Sequence, residues 1–530
     1  MYQISTMIRK LRLLFIASAM ITGMSGSALA IDFKVSGEWL VGFGAGTGSL
    51  YSHFRENNSA PREKSNSDDI FEANQRLRLQ LEAIVSESLS GTVGIEIGDQ
   101  RWGMAEQGGA LGADSSSVIK LKNAYIDWLV PDTELRFRMG IQGMALPNTA
   151  GGSAVLDADV AGITASYKFS ENVALTALWA RPVNDNFTTA YGAKENRQGY
   201  LDNMDLFALA LPVTLDGMEI TPWLMYGMLG KNALRGLETE DETEPWETSD
   251  GILGLTVPGL TPGFNFLHGS PLTASPTNKA YGSMFWAGLP MAITLWDPWN
   301  IELDINYGYM EEMGKFDILK RGDEIVRGST QRQGWLIKAL VEYKTDWVTP
   351  GIFGWYASGD DGNIKNGSER MPSIAGAGNF TSFIGDGNLA WGSFDDSCDW
   401  AMTYSGTWGI GLQLKDISFM EDISHTFRVA YWGGTNSPSM VKYMEHAYSW
   451  SEGYGGDGPY LTTNDGLVEF NLVNQWQIYE NLEANLELGY VINLIDKDTW
   501  SKSGYYNGEG NGKFEKQDAW KAQLTFAYTF

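Results

Sequence analysis

Four arginines stand in two pairs, Arg76 with Arg78 and Arg136 with Arg138, each pair separated by one residue. On an extended strand, where side chains alternate with period two, that spacing puts both guanidiniums of a pair on one face. Asp157 and Asp159 repeat the spacing with the opposite sign. Fixed charges of both signs along a narrow aqueous space do no bond chemistry; they orient ions and polar solutes. The groups that would make and break bonds are not at workable spacings. The four histidines, His53, His268, His425 and His446, are scattered, with no H-E-x-x-H pattern and no neighbouring cysteine. There is no G-x-S-x-G elbow and no phosphate-binding loop. Cys398 is the only cysteine, which excludes an intrachain disulfide and a thiolate metal site. No enzyme activity and no cofactor are expected. Asp360, Asp361 and Asn363, with Asp395, Asp396 and Asp399, could supply oxygens to loop Ca2+, but the spacing is not that of the twelve-residue calcium loop. Solvated turns are the commoner use of such residues.

The first thirty residues read as a separate unit. Arg9, Lys10 and Arg12 stand at the head of an apolar run from Leu11 to Met24, and Ala28, Leu29 and Ala30 form an A-x-A cleavage site. Residues 1–30 are therefore expected to be a cleavable signal peptide and 31–530 a single exported domain. The run is too short for a spanning helix, and no later apolar stretch reaches that length. With the three signal cations set aside, 65 acidic and 35 basic residues remain, a net charge near −30 against −27 for the whole chain. Such a surface excludes nucleic acid as a partner. Sixty-two glycines and 66 aromatic residues (20 Trp, 23 Tyr, 23 Phe) accompany a mean hydropathy of only −0.21. Those are the marks of strands with one apolar and one polar face.

Period-two alternation is explicit in several segments. From 134 to 142, Leu135, Phe137, Met139 and Ile141 alternate with Glu134, Arg136, Arg138, Gly140 and Gln142; 301–309, 482–490 and 71–83 show the same pattern. About 18 strands are expected, with 16 as the alternative, starting near Phe33, Phe71, Gly91, Ile119, Glu134, Gly162, Val173, Met204, Met218, Ala280, Ile301, Gly334, Val348, Thr403, His425, Leu467, Leu482 and Asp518. Connections alternate between short turns, such as 131–133 and 480–481, and nine long Gly/Asn/Asp/Ser-rich loops, including 143–161 and 358–402. The fold class implied is an all-β transmembrane antiparallel barrel with long loops at one end. Arginine facing lipid near the bilayer midplane costs about 2–4 kcal/mol, so Arg76, Arg78, Arg136 and Arg138 are expected to face the lumen; Lys338, Arg428 and Lys521 share that parity.

The last strand alternates Trp520, Ala522, Leu524, Phe526, Tyr528 and Phe530 with Lys521, Gln523, Thr525, Ala527 and Thr529. It resembles the C-terminal strand by which bacterial outer-membrane proteins are recognised and inserted, with Trp520, Phe526, Tyr528 and Phe530 as the assembly signal. Export signal, alternating strands, alternating connections and terminal Phe530 together look like the trimeric general-porin superfamily over the whole chain after residue 30. The opening AIDFKVSGEWLVGFG and the length look most like the homotrimeric porins of Desulfovibrio-type sulfate-reducing bacteria. The resemblance implies a homotrimer in the outer membrane of a Gram-negative bacterium, among lipid and lipopolysaccharide, passing small hydrophilic solutes and ions by diffusion. It also implies that the third long loop, carrying Asp157 and Asp159, folds inward to constrict the pore against Arg76, Arg78, Arg136 and Arg138. The acid excess points to a mild cation preference. The competing readings are a channel selective for sugars or organic acids, and a surface adhesin or receptor barrel using the long loops.

Overall fold

The computed structural model describes residues 31–47, 51–52, 69–104, 110–111, 119–184, 201, 203–231, 233, 258–260, 275–276, 279–320, 324–376, 378, 380–383, 404–444, 460–502, 515–516 and 518–530. Residues 1–30, expected to be a signal peptide, and Cys398, Asp395, Asp396, Asp399, His53, His268 and His446 lie outside the described residues. Eighteen antiparallel crossings close into one barrel. In order they are β1 Asp32–Thr47, β2 Asp69–Ser86, β3 Leu89–Arg101, β4 Ile119–Leu129, β5 Leu135–Ala145, β6 Asp157–Lys168, β7 Ala174–Asn184 and β8 Asn203–Ala210, the last continued by Val213–Leu215. Then come β9, Met218–Ile220 with Trp223–Gly230, β10 Tyr281–Ile293, β11 Trp299–Met310, β12 Arg332–Tyr343 and β13 Thr349–Ala357. The circuit ends with β14 Thr407–Met420, β15 Ile423–Gly434, β16 Gly466–Tyr479, β17 Leu482–Asn493 and β18 Ala519–Thr529. Each crossing pairs with its chain neighbours, and β18 closes on β1 over Glu38↔Thr529 to Gly46↔Lys521. Closure leaves no unpaired edge, which hydrocarbon would not tolerate. Among the described residues no helix is long and apolar enough to cross a membrane.

Two crossings are interrupted, β8 at Leu211–Pro212 and β9 at Thr221–Pro222, because proline has no N–H to give to the ladder. Counting each as one strand gives the expected 18, and the fold class is that of a transmembrane barrel. The dyad parity holds as read. Ile141, Ile305, Tyr307, Leu486, Leu488 and Tyr490 are exposed on the outer face, while Gln142, Asp304, Asn306 and Glu487 are buried inside. Aromatic pairs mark both rims of the outer face: Trp128–Phe137, Tyr167–Phe169 and Trp299–Tyr343 at the turn end, Trp335–Tyr356 and Trp408–Tyr431 at the loop end. Amphipathic rings belong at that depth, where hydrocarbon meets water.

The sequence boundaries fail at β6. It was expected to begin at Gly162 but starts at Asp157, so the third long connection shrinks to 146–156. The reason is local pairing: Ala145↔Asp157 and Gly143↔Asp159 extend the β5–β6 ladder into a stretch whose polar residues read as loop.

Candidate functional site: a lumen crossed by two infolded segments

Residues 146–156 leave β5, run into the barrel and return to β6, with the base closed by Leu146 N–H to Leu156 O at 2.9 Å. Leu146, Ala150, Ala154, Val155 and Leu156 are buried, so the segment is packed inside the barrel rather than spread over its mouth. Its tip is held by the wall of β9 to β12. Trp223 Nε1 donates to Pro147 O at 3.0 Å, and the Thr149 hydroxyl reaches Leu303 O at 3.1 Å and Met291 O at 3.3 Å. Tyr404 OH donates to Gly151 O at 2.6 Å, and the Lys338 ammonium donates to Gly152 O. Gly151 has φ +61°, and a Cβ there would meet the Tyr404 oxygen at 2.2 Å, so both the turn and the contact require glycine.

Lys338 sits opposite Asp304 across β11–β12, 3.0 Å from its carboxylate. Both side chains are sealed from solvent, at 0% and 1% exposure. A buried charge survives only when paired and hydrogen-bonded, and here the ion pair and the loop carbonyl together meet that need. The ammonium also lies 5.3 Å from the Tyr404 ring centroid.

A second segment enters from the connection between β13 and β14, which the sequence reading placed wholly outside. Trp286 Nε1 donates to Pro372 O at 2.8 Å. Ile374 N–H and Ala375 N–H donate to Val155 O at 2.9 and 3.0 Å, Asp157 N–H donates to Ala375 O, and Leu156 and Ala375 form a parallel bridge. The two infolded segments are therefore zipped together. Further on, Ser382 N–H and Phe383 N–H donate to Asn471 Oδ1 and Glu469 Oε1 on β16, 3.2 and 2.9 Å away, so this segment is also held by that strand. Glu469 is fully buried and also accepts from Trp432 Nε1 at 3.0 Å. Phe380 lies against the inward rings Phe353 and Trp355.

The expected charge pairs fall elsewhere. Arg76, Arg78, Arg136 and Arg138 have the predicted inward parity, but Arg136 and Arg138 stand in the first four residues of β5, at the turn end. They are seven and more residues from the root of the infolded segment, roughly 23 Å along the strand. Arg138 is held by both Asp127 oxygens, at 2.8 and 3.0 Å, with its guanidinium 4.2 Å from the Tyr125 centroid. Arg78 pairs with Glu96 at 2.8 Å, and Arg76 is buried. Asp157 and Asp159 do not face these arginines. They are the first residues of β6 with the outward parity of Ile163 and Tyr167, and Asp159 is ion-paired to Lys122 and accepts from Asn123 at 2.8 Å. Glu82, Asp127, Arg136, Arg138, Gln142 and Thr164 instead line an aqueous cavity of about 590 Å³ at the turn end.

Asp360, expected in a distant exposed turn, is buried. Its carboxylate accepts from Ser368 Oγ and Tyr460 OH, each at 2.6 Å, tying the second segment's root to the loop before β16. Asp361 stays exposed and orders its own turn through Asn363 and Asn366. Beside them Glu369 is pushed up to about 7, first by burial and then by the nearby charges of Asp360 and Asp361. Of the assembly residues, Phe530 exchanges backbone hydrogen bonds with Gly37 at 2.9 and 3.1 Å, and its ring occupies the space above that glycine. Tyr528 stacks on it at 5.6 Å, while Trp520 and Phe526 pair in the β18 ladders with Tyr490 and Ala484 on one side, and Phe526 with Val41 on the other.

The sequence did carry a signal for the second segment. Strands contacting lipid and water alternate, but Phe353, Trp355, Trp432, Trp286, Met284, Trp223 and Met225 are apolar residues of inward parity. A strand apolar on both faces is covered on both faces.

These features define a class: an even-numbered, closed antiparallel membrane barrel whose polar lumen is narrowed by its own loops. Among solved structures, the chain is similar to several proteins of Pseudomonas aeruginosa. OccK8 (OprE) aligns with TM-score 0.47 and 9% identity over 94% of this chain and 98% of that one. OpdK with vanillate gives 0.46 and 8% over 94% and 98%, and OpdO gives 0.46 and 13% over 94% and 97%. No family model matches the sequence, and no curated protein matches it.

Proposed function

We propose that this protein is an outer-membrane porin of a Gram-negative bacterium, passing small hydrophilic solutes and ions by passive diffusion, with the long-loop end outside and the turn end in the periplasm. The observation that carries the reading is the separation of faces. Outward side chains are apolar with aromatic rims, while inward ones are ionic and amide groups around aqueous cavities, which suits water inside and lipid outside. The constriction is the zipped pair of infolded segments, and the wall arginines Arg76, Arg78, Arg136 and Arg138 set the field on its approaches. Acid excess gives a mild cation preference, and three barrels associate through their outer walls. Planar-bilayer recording of the purified protein tests all of this. Stepwise conductance in multiples of three, with a reversal potential toward cations in a KCl gradient, is the expected result. Absence of conductance overturns the channel reading, and single independent steps overturn the trimer.

A further inference from the structure

Phe353 and Trp355 project inward from β13 two residues apart, with centroids 6.4 Å apart and planes inclined by only 8°. They lie flat because the neighbouring strand β14 places Gly409 and Gly411 beneath them. A Cβ at those positions would stand 2.2 Å from the Trp355 ring and 2.3 Å from the Phe353 ring. Trp432 and Tyr404 close the sides, at 4.4 and 5.5 Å from Trp355. The result is an aromatic floor of two near-parallel rings on the inner wall, beneath the second infolded segment. Phe380 of the second infolded segment lies on it, stacked at 4.8 Å on Phe353 and 6.0 Å on Trp355, with tilts of 22° and 26°.

We propose that this floor is a stacking subsite for the six-membered ring of a neutral sugar, and that Phe380 occupies it in the structure described here. The inference deepens the diffusion-channel reading and rests on it. A pyranose presents an apolar C–H face that suits a flat aromatic surface, and rim hydroxyls that need hydrogen-bond partners. Partners are at hand on the neighbouring strands β12, β14 and β15. Gln413 and Glu342 are joined at 2.7 Å, and Arg428 Nε reaches Gln413 Oε1 at 3.4 Å. The charges around the floor are balanced rather than of one sign, since Asp304 is paired with Lys338 and Arg428 stands beside the Gln413–Glu342 pair, which suits an uncharged ring better than an ionic one. Phe380 shows that a ring of this size fits.

The test is solute block of ion current in planar bilayers, with maltose and potassium benzoate as probes and heat-modifiable gel migration as the check of folding. Phe380→Ala frees the floor, and the maltose concentration that halves the current falls by between about two- and tenfold relative to the parent chain. Adding Trp355→Leu, or Phe353→Leu if that barrel does not fold, removes the gain. Benzoate blocks no variant better than the parent. The inference is overturned if Phe380→Ala conducts without increased maltose block, if the block survives loss of the floor, or if benzoate blocks as well as maltose. A parent chain that does not conduct overturns the channel reading itself, a separate failure.

Discussion

Replacing Lys338 with methionine keeps the side-chain volume and removes the charge. At 3.0 Å from Asp304 the ion-pair attraction is about 5 kcal/mol for an effective dielectric near 20. Much of it is offset by the desolvation of both ions, yet removing one partner strands the other. Asp304 would keep only its bond from Asn306 at 3.1 Å, and Gly152 O would lose its cationic donor. The expected cost is about 3–5 kcal/mol, the range for a broken buried pair. Lys338→Met with Asp304→Leu leaves no stranded charge and recovers most of that loss. The two segments are zipped together, so loosening the tip of 146–156 also raises current noise in the single variant. The assay is the temperature of heat-induced gel migration in a double-mutant cycle, read beside single-channel noise. If both single variants and the double variant are equally stable, or the noise is unchanged, Lys338 does not anchor the constriction and the argument fails.

Three further outcomes follow from the geometry. Glu369 is raised from 4.5 to about 7, so the folded state holds a proton that the unfolded chain has released; stability is full below about pH 4.5 and declines as pH rises through 7. Hydrogen exchange in 358–370, after division by its intrinsic pH dependence, should quicken between about pH 4.5 and 7, and Glu369→Gln should flatten the response. Gly37→Val fills the space that the Phe530 ring occupies, a Cβ falling 2.5 Å from the ring, and it should lower the yield of folded barrel as deletion of Phe530 does; wild-type yield from either variant contradicts the closure role. Neutralising Arg136 and Arg138 should shift the reversal potential toward cations, whereas Asp157→Asn with Asp159→Asn, on the outer side of β6, should shift it far less; equal shifts would return those aspartates to the pore.

Strand number, parity and closure were legible because alternation is imposed residue by residue, as at Leu135 to Gln142, and needs no knowledge of the partner strand. Inward Arg138 was readable for the same reason. Its partner was not, since Asp127 lies across a cross-strand register that a single sequence does not state. Asp157 and Asp159 misled because aspartate at a strand start looks like aspartate in a loop; only pairing with Ala145 and Gly143 tells them apart. The second infolded segment is not legible from the strands with clean alternation. The informative ones were those that broke it, β13 with Phe353 and Trp355, and β9 with Trp223 and Met225, whose inner faces are too apolar to meet water.

The bridge between Leu156 and Ala375 has a consequence for anyone wishing to resize this opening. Shortening either loop alone to widen the barrel would strip hydrogen-bond partners from the other and uncover the tryptophans on which both rest. Diameter here is a property of a transplantable module: two loops, their shared bridge, and the ring-bearing faces of β9, β10, β13 and β15. A graft that moves all of these together should carry its calibre to another eighteen-stranded host, and a graft of either loop alone should not.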